Sequence, residues 1–182
     1  MRVLVKAPQL KPQDVLVLLK LAVGEDGVWS YPRIAAELGM SASEVHAAIA
    51  VLAKLAVAQQ PKGFRIQPQN LLEFLVHGLK YAFPVARGPV TRGHPTAYAA
   101  PVLRKRIVEG EGLPPVWPDP EGAVRGESFS PLYPSLAVIR AILADPPMYE
   151  ATALVDAIRG GSARERQVAT ELLERLVTGR KR

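Results

Sequence analysis

The sequence predicts a mainly α-helical protein that starts with three short helices and a β-hairpin, continues through a proline-rich irregular segment and ends in further helices. Three observations support this prediction. Apolar residues recur at helical spacing in both terminal parts of the chain. A Pro-Lys-Gly turn at residues 61–63 separates two short extended runs, which is typical of a hairpin. Ten prolines between positions 84 and 134 disfavour long regular elements there, because proline removes a backbone donor and fixes φ.

The composition is that of a globular protein and excludes several kinds of site. The chain has 182 residues, 48% of them hydrophobic and 22% charged, which is enough for one large domain or two small ones. It contains no cysteine, so disulfides, thiolate zinc sites and cysteine nucleophiles are excluded. The N-terminal apolar stretch is too short for a signal peptide, and no apolar run approaches the roughly 20 residues that a bilayer requires. We therefore expect a soluble, cytoplasmic protein without a membrane partner.

The net charge of +6 favours a polyanionic partner, because neutralising phosphates releases bound counterions. A genome rich in G and C, which encodes arginine often, would produce the same excess of positive charge. The charge is therefore informative only where basic residues fall on the surface that a DNA-binding fold presents.

Helix signals define the first two helices. The first helix runs from Pro12 to about Ala22, with proline suited to a first-turn position. Its predicted buried stripe consists of Val15, Leu18, Leu19 and Ala22. The second helix runs from Tyr31 to Leu38, because Ser30 can cap its start and Gly39 can end it.

A third helix and a hairpin follow. The helix begins at Ser41, which forms an S-x-x-E capping box with Glu44. Its apolar stripe consists of Val45, Ala48, Ile49, Leu52 and Leu55. The hairpin covers residues 57–67 and has its turn at the Pro-Lys-Gly sequence.

The chain after residue 67 is predicted to be helical at both ends and irregular in the middle. A fourth helix runs from Asn70 to about Phe83. We expect the segment 84–134 to be irregular but ordered, because aromatic and branched residues lie among its prolines. Helices return at about 136–143, 149–159 and 162–177. Residues 68–182 either pack on the first 67 residues or form a second small domain.

The stretch from Ser30 to Val57 resembles the helix-turn-helix of MarR-like winged-helix transcription regulators. The matching features are Ile34-Ala35-Ala36-Glu37-Leu38, the turn Gly39-Met40-Ser41, and the apolar residues Val45, Ile49 and Leu52. Gly39 tolerates the positive φ that a tight helix–helix turn often needs, and Ala35 lets the two helices approach closely. The resemblance implies a winged helix-turn-helix over residues 1–67 in a transcription regulator that binds duplex DNA, usually as a homodimer on two half-sites.

The exposed face of this motif indicates which residues would contact DNA. Serine and histidine can hydrogen-bond base edges or phosphates, and alanine can contact a thymine methyl group. Basic residues of the hairpin would act as the wing, and an arginine early in the second helix could reach a phosphate. The predicted DNA-contacting residues are Arg33, Ser41, Ser43, His46, Ala47, Lys54, Lys62 and Arg65. The recognition face has no arginine, which leaves open the alternative of a winged-helix protein-interaction module, such as an antitoxin-like partner or a complex subunit.

Two further residues form a polar cluster in the proline-rich segment. Arg92 and His94 flank Gly93, whose backbone could approach a ligand closely, so a possible anion or partner site lies here. The simpler interpretation is a turn whose side chains tie the segment to the helices, and it is the one we favour. The basic run 104–106 is more often a solvated face than a phosphate clamp, although it could extend a DNA footprint.

The sequence does not indicate an enzyme. Its three histidines lack the spacing of metal ligands, and His77 is expected to be a partly buried residue of the fourth helix. No P-loop, dinucleotide-binding fingerprint or nucleophile elbow is present. We predict no metal, no cofactor and no catalytic residue.

Two further predictions concern a homodimer interface on the last helix and a ligand cleft between the two parts of the chain. The apolar residues Val168, Leu172, Leu173 and Leu176 share one face of the last helix. Such a stripe commonly completes the core of a monomer, but the helix is terminal and follows a Gly-Gly break, so we predict that it forms the interface of a homodimer. A cleft between the winged helix and the C-terminal helices would serve a small-molecule sensor, a role that can coexist with DNA binding.

Overall fold

The chain is mainly helical and has a small amount of β-structure, as the sequence predicts. The computed structural model describes residues 9–24, 29–53, 57–60, 63–107 and 112–179. In these ranges no single helix has the length and apolar composition needed to cross a membrane, and the one pair that passes this test together is bent by 113°.

Three helices and a hairpin form the N-terminal part. Their bounds are α1 (Pro12–Val23), α2 (Tyr31–Leu38), α3 (Ala42–Leu52), β1 (Val57–Gln60) and β2 (Gly63–Ile66). The predicted caps are confirmed: Ser30 accepts a hydrogen bond from the Arg33 backbone N–H, and Ser41 and Glu44 form the reciprocal capping box. Gly39 ends α2 with a φ of +65°, a conformation that a glycine adopts without strain. The axes of α2 and α3 differ in direction by 113°.

A larger part of α1 is buried than the sequence predicted. Residues 14–21 are all buried, although the sequence predicted one apolar face. The reason is that α1 contacts α2, α3 and β2 on one side and the C-terminal helices on the other. Buried side chains from both parts of the chain belong to one hydrophobic core.

The predicted fourth helix is present but not uniform. It consists of α4 (Pro68–Glu73), a π-helical turn (Phe74–Gly78) and α5 (Leu79–Ala82). Leu71, Leu75 and Leu79 are fully buried on one side. The backbone N–H of Leu79 donates to the carbonyl of Phe74, which is the wider spacing of a π turn. His77 is exposed, so the expectation that it is partly buried is wrong.

The prediction of an irregular middle segment is also wrong in its main part. Three strands, β3 (Arg87–Pro95), β4 (Pro115–Pro118) and β5 (Val124–Phe129), close into a small barrel. β3 pairs antiparallel with both other strands, and β4 pairs parallel with β5. A short 3₁₀ helix (Ala97–Ala99) and α6 (Pro101–Arg104) lie between β3 and β4.

The prolines are compatible with these strands because of where they lie. Pro89 sits at the register shift between Arg87 and Val90, and Pro95, Pro115 and Pro118 lie at strand ends. At such positions a missing N–H removes little from the ladder of hydrogen bonds. The aromatic residues behave as expected, since Trp117 and Phe129 are buried in the core.

Three helices complete the described chain: α7 (Leu136–Ala144), α8 (Pro146–Gly160) and α9 (Ala163–Thr178). α8 is buried along residues 151–159 and contacts α1, α5, α6, α7 and α9. On α9, Val168 and Leu173 are buried within the chain, and Leu172 and Leu176 pack partly buried against the same core. The α9 stripe therefore completes the core of a single chain, which is the less favoured of the two sequence interpretations.

A fully buried acidic side chain joins α8 to the barrel. The Asp156 carboxylate accepts hydrogen bonds from the Thr96 hydroxyl at 2.8 Å and from the Trp117 indole N–H at 2.7 Å. The Arg159 guanidinium donates to its other oxygen at 2.7 Å and also to the carbonyl of Phe83 at 3.1 Å. Burial raises the pKa of Asp156, and the charge of Arg159 acts in the opposite direction.

Candidate nucleic-acid interface

The third helix has one apolar face in the core and one face exposed to solvent. Val45, Ala48, Ile49 and Leu52 are buried. Ser43, His46, Ala47 and Ala50 are exposed. Three of the predicted DNA-contacting residues, Ser43, His46 and Ala47, therefore lie on the free face of α3.

An aromatic cluster that the sequence did not predict connects α2, α3 and β2. The ring of Tyr31 lies 5.0 Å from that of His46 and 5.0 Å from that of Phe64, measured between centroids, and both pairs are tilted. Such tilted contacts are favourable for aromatic rings. His46 is thus held against the first turn of α2, and the half-buried Tyr31 and Phe64 lie between this exposed residue and the core. The available sequence signal was the occurrence of one aromatic residue in each of the two flanking elements.

The hairpin carries one described basic residue of the predicted wing. Arg65 is exposed on β2, opposite Ala58 of β1. Lys54 and Lys62 lie outside the described residues. Gly63 has a φ of +131°, and a Cβ atom there would lie 2.9 Å from the carbonyl oxygen of Trp29, so the hairpin is packed closely on the chain that precedes α2.

The start of α3 is occupied by its own cap. The Ser41 hydroxyl accepts from the Glu44 backbone N–H at 3.2 Å and donates to the Glu44 carboxylate at 2.7 Å. The other carboxylate oxygen of Glu44 accepts from the Tyr133 hydroxyl at 2.7 Å. The hydrogen bonds from Tyr133 and Ser41 lower the pKa of Glu44, so a negative charge is held at the N-terminus of α3. Ser41 therefore serves the cap, and a phosphate would be repelled at this end.

Arg33 also has a partner within the chain. Its Nε donates to the Glu37 carboxylate at 2.9 Å, and its guanidinium lies over the Trp29 ring, 4.3 Å from the centroid. These contacts orient Arg33 along α2, and they do not favour the predicted role at a phosphate.

A cleft lies between the N-terminal helices and the C-terminal helices. The ammonium group of the buried Lys20 lies 2.6 Å from the Glu37 carboxylate and 2.5 Å from that of Asp145. These groups line a cavity of about 620 Å³ with residues of α1, α2, α7 and α8. Burial opposes the charge of Lys20, but the hydrogen bonds to Asp145 and Glu37 outweigh it and raise the pKa of Lys20. The cavity occupies the place that the sensor hypothesis assigned to a small molecule.

The two residues of the possible anion site, Arg92 and His94, have different surroundings on β3. The Nε2 atom of His94 lies 3.1 Å from the Asp119 carboxylate, and the Nε atom of Arg140 lies 3.6 Å from the same oxygen. His94 thus connects β3 to the chain after β4 and, through Asp119, to α7. The backbone N–H of Glu121 and the His94 ring lower the pKa of Asp119, which keeps its carboxylate ionised. His94 therefore ties this segment to a helix, as the simpler interpretation of the sequence predicted. Arg92, in contrast, is exposed on the strand.

In the part of the chain that the structure describes, no group of three histidine, aspartate or glutamate side chains is placed to hold a metal ion.

Comparisons with known proteins do not identify a relative of this chain. No protein-family model, no curated protein and no solved structure matches the chain.

Proposed function

We propose that this chain is a DNA-binding transcription regulator of the winged-helix type, in which α3 enters the major groove and the β1–β2 hairpin contacts the DNA backbone. The observation that carries the proposal is the arrangement of the N-terminal elements. α2 and α3 differ by 113° in direction and are joined by the three residues 39–41. Helix-turn-helix motifs join two helices at about 90–120° through a turn of 3–4 residues, and a hairpin follows α3 in the order of a winged helix.

The contact surface of the proposed regulator is smaller than the sequence predicted. Ser43 and His46 supply hydrogen-bonding groups, and Ala47 supplies a methyl-sized contact for thymine. Arg65 is the described cation of the wing, and Lys54 and Lys62 remain predictions. Ser41 caps α3 and Arg33 pairs with Glu37, so neither is counted among the proposed DNA contacts. The proposal assigns no catalytic step to the chain, and it places the regulator in the cytoplasm, where its DNA would be.

Fluorescence anisotropy with labelled duplexes tests this proposal. Lys62→Ala with Arg65→Ala is expected to weaken binding to specific and random duplexes alike. It should also make the dependence of log K on log salt shallower by about 0.9 for each phosphate that is no longer neutralised. Arg164→Ala with Arg175→Ala, two exposed arginines of α9, removes the same charge away from the wing and serves as the control. Absence of binding by the wild type to any duplex at low salt would contradict the proposal.

A second candidate function is a winged helix that binds a protein. It is favoured by the exposed face of α3, which carries alanine, serine and histidine but no arginine or lysine in its described part, and by the carboxylate of Glu44 at its N-terminus. Purification of the tagged chain with a stoichiometric partner, combined with no binding to duplexes, would select this function.

We also propose a homodimer, because two half-sites would increase the affinity of so modest a surface. Val168 and Leu173 are buried within one chain, so they are not available to a second copy. Leu172 and Leu176 retain partial exposure and are the remaining candidates of the predicted interface. Light scattering at high micromolar concentration tests the assembly, and a monomer mass would reject it.

A further inference from the structure

We propose that Arg92 and Arg125, on the exposed side of the barrel, form a second phosphate-binding site that holds the backbone of a nucleic acid. Duplex DNA as the source of the phosphate rests on the proposed function, but the site itself depends only on the geometry of β3 and β5.

The register of the sheet places the two arginines side by side. Arg92 of β3 is directly opposite Arg125 of β5 in an antiparallel pair, and both side chains are exposed. Directly opposite residues of an antiparallel pair project from the same face with Cβ atoms about 4.5–5.5 Å apart. Like charges in such a pair destabilise the sheet, so the stability of the fold does not account for this pairing.

The carboxylates near these arginines already have other partners. Glu127, two residues further along β5, pairs with Arg87 at 2.9 Å. Asp119, whose backbone N–H donates to the carbonyl of Arg92, has its carboxylate beside His94 and Arg140. Glu121 pairs with Arg140 at 2.6 Å.

Neither Arg92 nor Arg125 forms an ion pair with any residue that the structure describes. Two guanidinium groups therefore face solvent together, and an anion from outside the chain would complete their hydrogen bonding. A guanidinium presents planar donors that match a phosphate in a bidentate way, and two of them at this spacing can share one phosphate group.

The backbone beneath the pair is closely packed. A Cβ atom at Gly93 would lie 2.0 Å from the carbonyl oxygen of Trp117, and one at Gly122 would lie 2.3 Å from the Cα atom of Gly93. The strands and the following turn are thus in direct backbone contact, and the distance between the arginines is set by the sheet. Because both side chains project from a strand face, the matching phosphate is one displayed on the surface of a polymer.

The experiment measures binding of a random duplex by fluorescence anisotropy over a series of salt concentrations. Arg92→Ala with Arg125→Ala is expected to reduce the slope of log K against log salt by about 0.9–1.8, for one or two neutralised phosphates. Arg164→Ala with Arg175→Ala is the control of equal charge and should leave the slope close to that of the wild type. Equal slopes for the two double variants, or no change in either, would overturn the proposal.

A single charge reversal separates binding from folding. R125E places a carboxylate opposite Arg92, so we expect a melting temperature at or above that of the wild type and a decrease in duplex affinity larger than that of R125A. A lower melting temperature with unchanged affinity would show that Arg125 serves the fold alone and would overturn the proposal.

The wing variants distinguish this proposal from the proposed function. If Lys62→Ala with Arg65→Ala weakens binding and the barrel variant does not, the regulator stands and the barrel site is rejected. If only the barrel variant weakens binding, the barrel site stands and DNA recognition by the winged helix is rejected. If the wild type binds no duplex at low salt, both are rejected.

Discussion

Lys20 and Asp156 are both buried charges that join distant parts of the chain, but their surroundings differ. The Lys20 ammonium lies between two carboxylates that are 35% and 26% exposed, and all three groups border a cavity of about 620 Å³. The Asp156 carboxylate is fully enclosed, and its partners are two neutral donors and one guanidinium that is itself 3% exposed.

This difference indicates which junction can respond to its surroundings. Solvent reaches the partners of Lys20, so salt, pH or a ligand can change the strength of that junction. Water does not reach Asp156, and removal of any one partner there leaves a buried polar group without compensation. The junction of the barrel with α8 is therefore expected to be rigid, and the cleft between α1, α2 and α8 is expected to adapt.

The largest expected effect is that of Asp156→Ala. The substitution leaves the Arg159 guanidinium buried without a counter-charge, which typically costs about 3–5 kcal/mol in the free energy of unfolding. Glu150→Ala, which removes a less buried carboxylate from the same helix, is the control and should cost less than about 0.5 kcal/mol. Chemical denaturation measures both. Similar decreases for the two variants would mean that the enclosed network does not differ from an ordinary surface charge.

Lys20→Met is expected to have a smaller effect. It leaves Glu37 and Asp145 facing each other, but both carboxylates retain contact with water, so we expect the free energy of unfolding to fall by about 1–2 kcal/mol. This decrease should become smaller as salt is added, because screening weakens the repulsion between exposed carboxylates. A salt-independent decrease as large as that of Asp156→Ala would remove the distinction between the two junctions.

The ion pairs of Lys20 in the cleft should contribute less to the free energy of unfolding at both low and high pH. The hydrogen bond from Lys20 lowers the pKa of Glu37 from its ordinary 4.5, so this stabilisation is complete above pH 4.5 and is lost as pH falls through the folded-state pKa. The pKa of Lys20 is raised above 10.5, so its contribution is complete below pH 10.5 and is lost as pH rises through the folded-state value.

The measurement is the stability difference between the wild type and Lys20→Met as a function of pH. We expect a constant difference between about pH 5 and pH 10, and a smaller difference outside this range. A difference that grows in acid would contradict the assigned pairing of Lys20 with Glu37.

The smallest expected effect concerns the partly buried hydrogen bond between Tyr133 and Glu44. Tyr133→Phe removes the hydrogen bond to Glu44 and should cost about 0.5–1 kcal/mol, because the bond involves a charged acceptor that solvent can reach. This bond is the largest cause of the lowered pKa of Glu44. An NMR titration of the variant should therefore show that the pKa of Glu44 has risen toward 4.5. Tyr81→Phe, in which the tyrosine is 78% exposed, is the control and should change neither quantity.

Only part of the candidate interface could be predicted from local sequence patterns. The exposed residues Ser43, His46, Ala47 and Arg65 follow from helix and strand periodicity, which can be read along the sequence. The roles of Arg33 and Ser41 do not follow from periodicity, because each is taken up by a partner that the pattern does not reveal. The position of Arg125 beside Arg92 was not predictable, since it depends on pairing between residues more than 30 positions apart in the sequence.

Elements whose signals are local could be predicted from the sequence alone. Ser30, Gly39 and the pair of Ser41 and Glu44 mark the ends of α2 and α3, because caps and turns act on neighbouring backbone groups. Features that require distant segments to meet could be identified only from the three-dimensional packing. The closed barrel, the burial of α1 on several sides, the pairing of Lys20 with Asp145 and the assignment of the α9 stripe to the core of one chain are of this kind. Periodicity indicates which face of an element is apolar, but the partner of that face is set by packing between residues far apart in the sequence.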